Sequence, residues 1–255
     1  MQKTMGRYRG CHQGRHVRAT RLAFTLLELL AVIAIVGLLS AMIFPALQKA
    51  RVRAKQASCA SNLRQLHLAT MMYLAENDWQ MFPFNQKVEE GMLWYFGLEK
   101  GYVVGTPEGT RPLEKTRARL YPYICSVGGI ELCPALDYRS AHFKLKFDGT
   151  SYGYGVNYYL LNKPFPRDKD SQIALFADCA QVNTFQPPAS PSNPLLEEFY
   201  YVNAYEKTTH FRHGKRANVA FCDGHVMGVE PSPGSLDNRC DALTGTLPRS
   251  VFGFP

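Results

Sequence analysis

The sequence predicts an α+β chain, in which a long N-terminal helix, membrane-spanning in its first half, packs on a small antiparallel β-sheet domain with long loops. Three observations predict it. Residues 29–47 form a run of nineteen without a charge, LLAVIAIVGLLSAMIFPAL. Residues 48–77 are polar but repeat apolar positions at three- and four-residue spacings. Beyond Asp78 the chain holds most of its Pro, Gly and Tyr, and short β-like runs alternate with turns. At 255 residues the chain is one generous domain or two small ones, and 46 % hydrophobic content excludes wholesale disorder.

Taken in order, the first segment (residues 1–23) is basic. It carries Lys3, Arg7, Arg9, Arg15, Arg18 and Arg21 and no Asp or Glu. The uncharged run that follows spans roughly 28 Å as a helix, about one hydrocarbon core, and exceeds the usual h-region of a secretory signal. Next come Lys49, Arg51, Arg53 and Lys55, then Leu63, Leu66, Thr70, Tyr73 and Leu74. This is the pattern of an amphipathic helix. No Gly or Pro interrupts residues 46–78, so a single helix of about fifty residues is expected, greasy first and two-faced second.

Two residues in the greasy half stand out. Glu28 is a carboxylate at the mouth of a membrane span, and no basic residue follows within twenty positions; it calls for a partner. Pro45 removes one backbone hydrogen bond and is expected to bend or loosen the helix.

Behind the basic leader, Ala23-Phe24-Thr25-Leu26-Leu27-Glu28 resembles the prepilin-type cleavage and methylation motif of type IV pilins and of the pseudopilins of type II secretion. The resemblance implies a pilin-like fold and four segments. These are a removed leader (1–23), a transmembrane and assembly half-helix (24–47), an amphipathic half-helix (48–77) and a globular domain (78–255). It implies a cut between Ala23 and Phe24 by a prepilin peptidase that methylates the new Phe24 amine. Ala23 stands where the family usually has Gly. Glu28 would pair with the Phe24 amine of a neighbouring subunit, and Pro45 falls where many such subunits loosen their helix. The implied partners are other pilin or pseudopilin subunits, the peptidase/N-methyltransferase and an inner-membrane assembly platform. The implied location is the inner membrane, with a cytoplasmic N-terminus and the globular part outside. The implied role is structural rather than enzymatic, with no cofactor. Whether the filament is a secretion pseudopilus or a pilus stays open.

In the second half, strands are expected at residues 172–177, 217–222 and 225–229, and surface loops at 186–194 and 231–234. Asp223-Gly224 reads as a two-residue type I′ hairpin turn, with Phe221 opposite Val226 and Cys222 opposite His225. His213, Asp223 and Gly224 resemble the H-x9-DG segment of many large prepilin-like proteins of environmental bacteria, as do Cys133-Pro134 and Ser151-Tyr152-Gly153-Tyr154-Gly155. The role of that segment is undefined. The residues favour a structural role, a turn plus a hydrogen-bonded loop histidine. A metal site from His213, Asp223 and His225, or a hydrolytic pairing of Asp223 with a histidine, competes with it. No metal is expected, since the three lack a recognised ligand spacing, and no G-x-S-x-G, H-E-x-x-H or phosphate-binding glycine loop occurs. Asp178, ending a strand, reads as a turn or cap residue.

The basic run His210, Arg212, His213, Lys215 and Arg216 offers a surface for nucleic acid through Arg212, Lys215 and Arg216, although such runs are usually solvated loops. Nucleic acid is not an expected partner. The net charge of +8 is mostly leader: removing six of the 29 basic residues leaves 23 against 21 acids. Removing the leader also takes Cys11. Six cysteines remain (59, 125, 133, 179, 222 and 240), which permits up to three disulfides, a short loop closed by Cys125–Cys133 among them, while the alternative is that several are simply buried small hydrophobes; no pairing is singled out.

Overall fold

The computed structural model describes residues 25–102, 109–124, 129–148, 152–166, 170–237, 239 and 243–253. The leader, Ala23, Phe24, Cys125 and Cys240 lie outside the described residues. The chain divides into two units, Met1–Leu47 and Gln48–Pro255.

Helix α1 runs Leu26–Glu76, 51 residues, unbroken through Pro45. Its start is a capping box. The Glu28 N–H donates to Thr25 Oγ1 (3.2 Å), and the Thr25 N–H and hydroxyl donate to Glu28 Oε2 (2.9 and 2.8 Å). Glu28 therefore has a partner at its own helix terminus. From residue 25 to 47 every side chain except Ser40 is exposed. By length and composition α1 is able to cross a membrane.

The second half of α1 belongs to the other unit. Cys59, Leu63, Leu66, His67, Thr70 and Leu74 are buried at three- and four-residue spacing, one stripe of the helix. Burying each leucine contributes about 1.5–3 kcal/mol. The helix stops where Asp78 and Trp79 take left-handed backbone (φ 51° and 57°) and the Trp79 N–H closes on the Leu74 carbonyl at 2.9 Å.

Among the described residues, fourteen short strands follow. β1 (Asn85–Val88), β2 (Gly91–Trp94), β3 (Gly97–Lys100) and β4 (Leu113–Glu114) form an antiparallel meander, and a one-turn helix α2 (Tyr121–Ile124) comes next. Then come β5 (Phe143–Lys144), β6 (Tyr154–Asn157), β7 (Ala174–Asp178), β8 (Gln181–Asn183) and β9 (Leu195–Glu197). The last are β10 (Tyr201–Val202), β11 (Thr209–His210), β12 (Ala217–Phe221), β13 (Val226–Val229) and β14 (Thr244–Gly245). The central sheet has the order β10-β6-β7-β12-β13; it is antiparallel except for the edge pair β10–β6. A three-stranded sheet, β5-β9-β8, also contains one parallel pair, and β11 pairs with β14. The architecture is thus α+β and pilin-like: a long apolar N-terminal helix ahead of a small, antiparallel-rich sheet domain.

β12 shows how the core is divided. Ala220 joins the cluster that contains Leu63, Leu66 and Leu74 of α1. Ala217, Val219 and Phe221 join a second cluster with Phe211, Leu247 and Phe252. The alternation puts apolar cover on both faces, which is why β12 is buried throughout.

Two expectations change. The turn after β12 is not type I′. Ala220 pairs with Val226, the Phe221 N–H donates to the His225 carbonyl, and the Gly224 N–H donates back to the Phe221 carbonyl. Cys222-Asp223-Gly224 is therefore a three-residue loop, a type I turn ending on a left-handed glycine (φ 91°), and Asp223 keeps a negative φ. Phe221 stacks on His225, not opposite Val226. Second, Cys59, Cys133 and Cys179 are buried thiols outside any disulfide, so Cys133 does not close a loop with Cys125. In the two Pro-rich stretches, Pro187, Pro188, Pro191, Pro233 and Gly234 are exposed.

Candidate functional site

The most unusual chemistry is a buried polar cluster inside the second unit. α1 brings Cys59, the turn after residue 129 brings Cys133, the end of β7 brings Asp178, and the loop between β11 and β12 brings Arg212 and His213. Asp178 is the hub. Its Oδ1 accepts from the Cys59 thiol at 3.4 Å and faces Arg212 Nε at 3.4 Å. Its Oδ2 accepts from the Asn218 N–H at 2.8 Å and lies 3.3 Å from His213 Nε2. That same Nε2 lies 3.6 Å from Cys133 Sγ. One potential ligand atom from each of Cys59, Cys133, Asp178 and His213 lies within 4.8 Å of the others, and all four residues are buried.

Burial alone would make such charges untenable, so their mutual placement sets their ionisation. Burial opposes ionisation of Asp178, but Arg212, His213 and the Asn218 N–H hold its carboxyl below the usual range. Burial likewise opposes the His213 cation, yet the hydrogen bonds to Asp178 and Cys133 lift the imidazole to about 9. The neighbouring Cys59 thiol leads the lowering of Cys133 to about 5, with Arg212 and His213 adding to it against burial. Burial and the hydrogen bond to Cys133 push Cys59 up.

Two glycines make room for this. A Cβ on Gly153 would lie 2.6 Å from the Cys133 nitrogen and from the Tyr138 hydroxyl, and one on Gly155 would lie 2.6 Å from Cys179 Sγ. The Cys133 N–H donates to that Tyr138 oxygen at 2.9 Å. Arg212 Nη2 donates to the carbonyls of Gly153 and Cys179, both at 2.9 Å. Cys133-Pro134, the glycine-tyrosine segment and His213, which sequence reading placed in one family pattern without a role, converge on one spot.

The remaining expected residues divide differently. Asp178 is neither a turn nor a cap residue; it is the buried acceptor of the cluster. His213 does not meet Asp223 and His225. Those two pair with each other at the hairpin tip, His225 Nδ1 lying 2.6 Å from Asp223 Oδ1. That separation removes the metal triad of His213, Asp223 and His225. Arg212 is no surface contact for nucleic acid, because its side chain is only 3 % exposed and tied to Asp178. His210 is buried as well. Lys215 and Arg216 are exposed, and Arg216 pairs with Glu230 at 2.7 Å. A basic stripe thus reduces to two side chains, one of them neutralised.

The H-x9-DG segment instead holds α1. Asn218 Nδ2 donates to the Gln56 carbonyl at 3.2 Å, and His67 Nε2 lies 3.0 Å from the Cys222 carbonyl. A Cβ on Gly224 would sit 2.8 Å from the His67 ring, so the turn glycine is required by contact as well as by φ. A Cys–His–Asp set also suggests nucleophilic catalysis. The geometry opposes it: one imidazole nitrogen serves both Cys133 and Asp178, so no relay exists, and Cys133 is fully buried from any substrate.

Over 55 residues the chain is 40 % identical to the type IV major pilin protein PilA of Myxococcus xanthus (strain DK1622), covering 22 % of this chain and 25 % of that protein. The chain thus spans about a quarter of the length of the curated relative it matches. No family model matches the chain, and no solved structure matches it. The similarity and the long apolar helix ahead of its sheet domain support a pilin-like protein.

Proposed function

We propose that the chain is a structural, non-enzymatic subunit of a type IV pilus-like or type II secretion pseudopilus filament. The observation that carries this reading is the apolar half of α1, uncharged over residues 29–47 and exposed along almost its whole length. Apolar surface on that scale is stable only in lipid or against other helices. Membrane insertion and then helix packing in a filament core satisfy it in turn. The leader 1–23 stays cytoplasmic and is cut between Ala23 and Phe24 by the prepilin peptidase, which methylates Phe24. Assembly on the inner-membrane platform then brings the Phe24 amine of one subunit to Glu28 of the next, where low dielectric strengthens the pair. Within a subunit, Thr25 pre-orients the Glu28 carboxylate. Pro45 gives the helix a point of looseness. The H-x9-DG segment, through His213, Asn218, Cys222 and Gly224, seats α1 on the globular domain that stays outside.

Mass spectrometry of the native envelope protein tests the processing step. The expected result is an N-terminal peptide that begins with N-methylated Phe24. Residues 1–23 intact on the mature protein would overturn the reading.

A further inference from the structure

We infer that Cys59, Cys133, Asp178 and His213 form a tetrahedral site for one structural zinc ion, which fastens helix α1 to the sheet domain. The inference does not rest on the filament reading. Nothing about polymerisation enters it, and it stands or falls on the globular unit alone.

The spacing of the four side chains suits zinc. Zinc bonds of about 2.3 Å to sulfur and 2.0–2.2 Å to nitrogen or oxygen make a tetrahedron with ligand–ligand edges of roughly 3.3–3.8 Å. The cluster shows 3.6 Å between Cys133 Sγ and His213 Nε2, 3.3 Å between His213 Nε2 and Asp178 Oδ2, and 3.4 Å between Cys59 Sγ and Asp178 Oδ1. The two Asp178 distances end on different oxygens of its carboxylate, and one ligand atom from each residue lies within 4.8 Å of the others, so closing by about 1 Å brings the four to tetrahedral edges.

The donor set suits it too. Two cysteines, one histidine and one carboxylate suit a borderline-soft ion. Calcium and magnesium want six or more oxygens, and cupric copper prefers a square plane. Four protein ligands, buried from solvent, leave no position for a substrate, which fits a structural site rather than a catalytic one.

The charges balance as well. Cysteine ligates as thiolate, so the loaded site holds two thiolates, one carboxylate and a divalent cation. One negative charge is left over, and the buried Arg212 guanidinium supplies its counterpart 3.4 Å from Asp178. The Asn218 N–H and Arg212 orient the carboxylate, and the Tyr138 hydroxyl holds the Cys133 backbone, as supporting groups around metal ligands do.

The test uses the full chain in detergent, purified from zinc-supplemented cells and dialysed against metal-free buffer. Elemental analysis should find about one zinc per chain, falling at least ~10-fold in Cys133→Ser and in His213→Ala. Asp223→Asn and His225→Ala, at the hairpin tip, should keep it. Because a ligand variant can fail to fold, wild-type chain loaded with cobalt provides a second reading. Thiolate-to-cobalt charge-transfer bands with intense tetrahedral d–d bands support the site. Wild-type chain without zinc and without those bands overturns it. So does zinc retained by the Cys59→Ser/Cys133→Ser double variant, or a Cys59–Cys133 disulfide in the native protein.

Discussion

The two halves of α1 meet the same physical demand in opposite ways. From residue 48 onward the helix buries a stripe, and every polar side chain in that stripe has a partner. Cys59 donates to Asp178, His67 meets the Cys222 carbonyl, and the Thr70 hydroxyl donates to the Leu66 carbonyl at 2.8 Å. Over residues 26–47 of the helix the only charged group, Glu28, is held by Thr25, and the apolar side chains face outward. One half is complete within the fold. The other leaves its apolar surface to be covered from outside the fold. Stability and assembly should therefore be separable by mutation.

The largest expected effect breaks the complete half. Asp178→Ala strands Arg212 and His213 as buried charges and should destabilise the chain by about 3–5 kcal/mol, read as a lower denaturation midpoint of full-length protein in detergent. Its membrane association should not change. Val36→Arg attacks the other half: a charge near the centre of the span disfavours insertion by about 2.5–3.5 kcal/mol. It should release the chain on alkaline extraction and leave the denaturation midpoint of the globular unit where it was. If either variant moved both readouts, the division would fail.

The smallest effect sharpens the picture of the sheet domain. Burial lifts Glu198 to about 7, against the Lys146 N–H, which donates to Oε1 at 2.8 Å, and the Lys146 charge. Its neighbour Glu197, also buried, is held at about 2 by Lys146 and Lys144. A carboxyl whose folded pKa is raised contributes stability below its ordinary value and loses it as pH rises through the folded value. Between pH 5 and 8 the chain should therefore lose on the order of 2 kcal/mol from Glu198, while Glu197 stays ionised throughout. Glu198→Gln should flatten that slope, with no effect on extraction from membranes. A wild-type stability that rose with pH across this window would contradict the assignment.

The helix was legible because its information is local. Nineteen uncharged residues, a three-four repeat and an absence of Gly and Pro fix one element without reference to the rest of the chain. β12 and β13 were legible for the same reason, and the observed strands fall within a few residues of the expected ones. The turn between them was not, because Asp-Gly serves a type I turn with a left-handed glycine as well as a type I′ turn. Only the pairing of Ala220 with Val226 distinguishes the two. The buried cluster was illegible for a different reason. It joins positions 59, 133, 178 and 213, which share no spacing, so Asp178 looked like the end of a strand. Arg212 looked like part of a solvated stripe. Each is polar, and polarity in a sequence points outward until a partner far along the chain is known. The capping box was available at the local level: Thr25 and Glu28 are three apart ahead of an apolar run, the usual spacing.

The claim that the exposed half of α1 is completed by other copies is tested most directly by shearing. Filaments sheared from the surface of cells carrying tagged wild-type chain or Glu28→Leu should be collected and probed for the protein and its N-terminus. The expected result is wild-type chain in the sheared fraction, beginning at methylated Phe24, with Glu28→Leu processed but retained in the membrane. Wild-type chain found only in the membrane, and not cross-linked there to other copies through residues 24–47, would contradict the account.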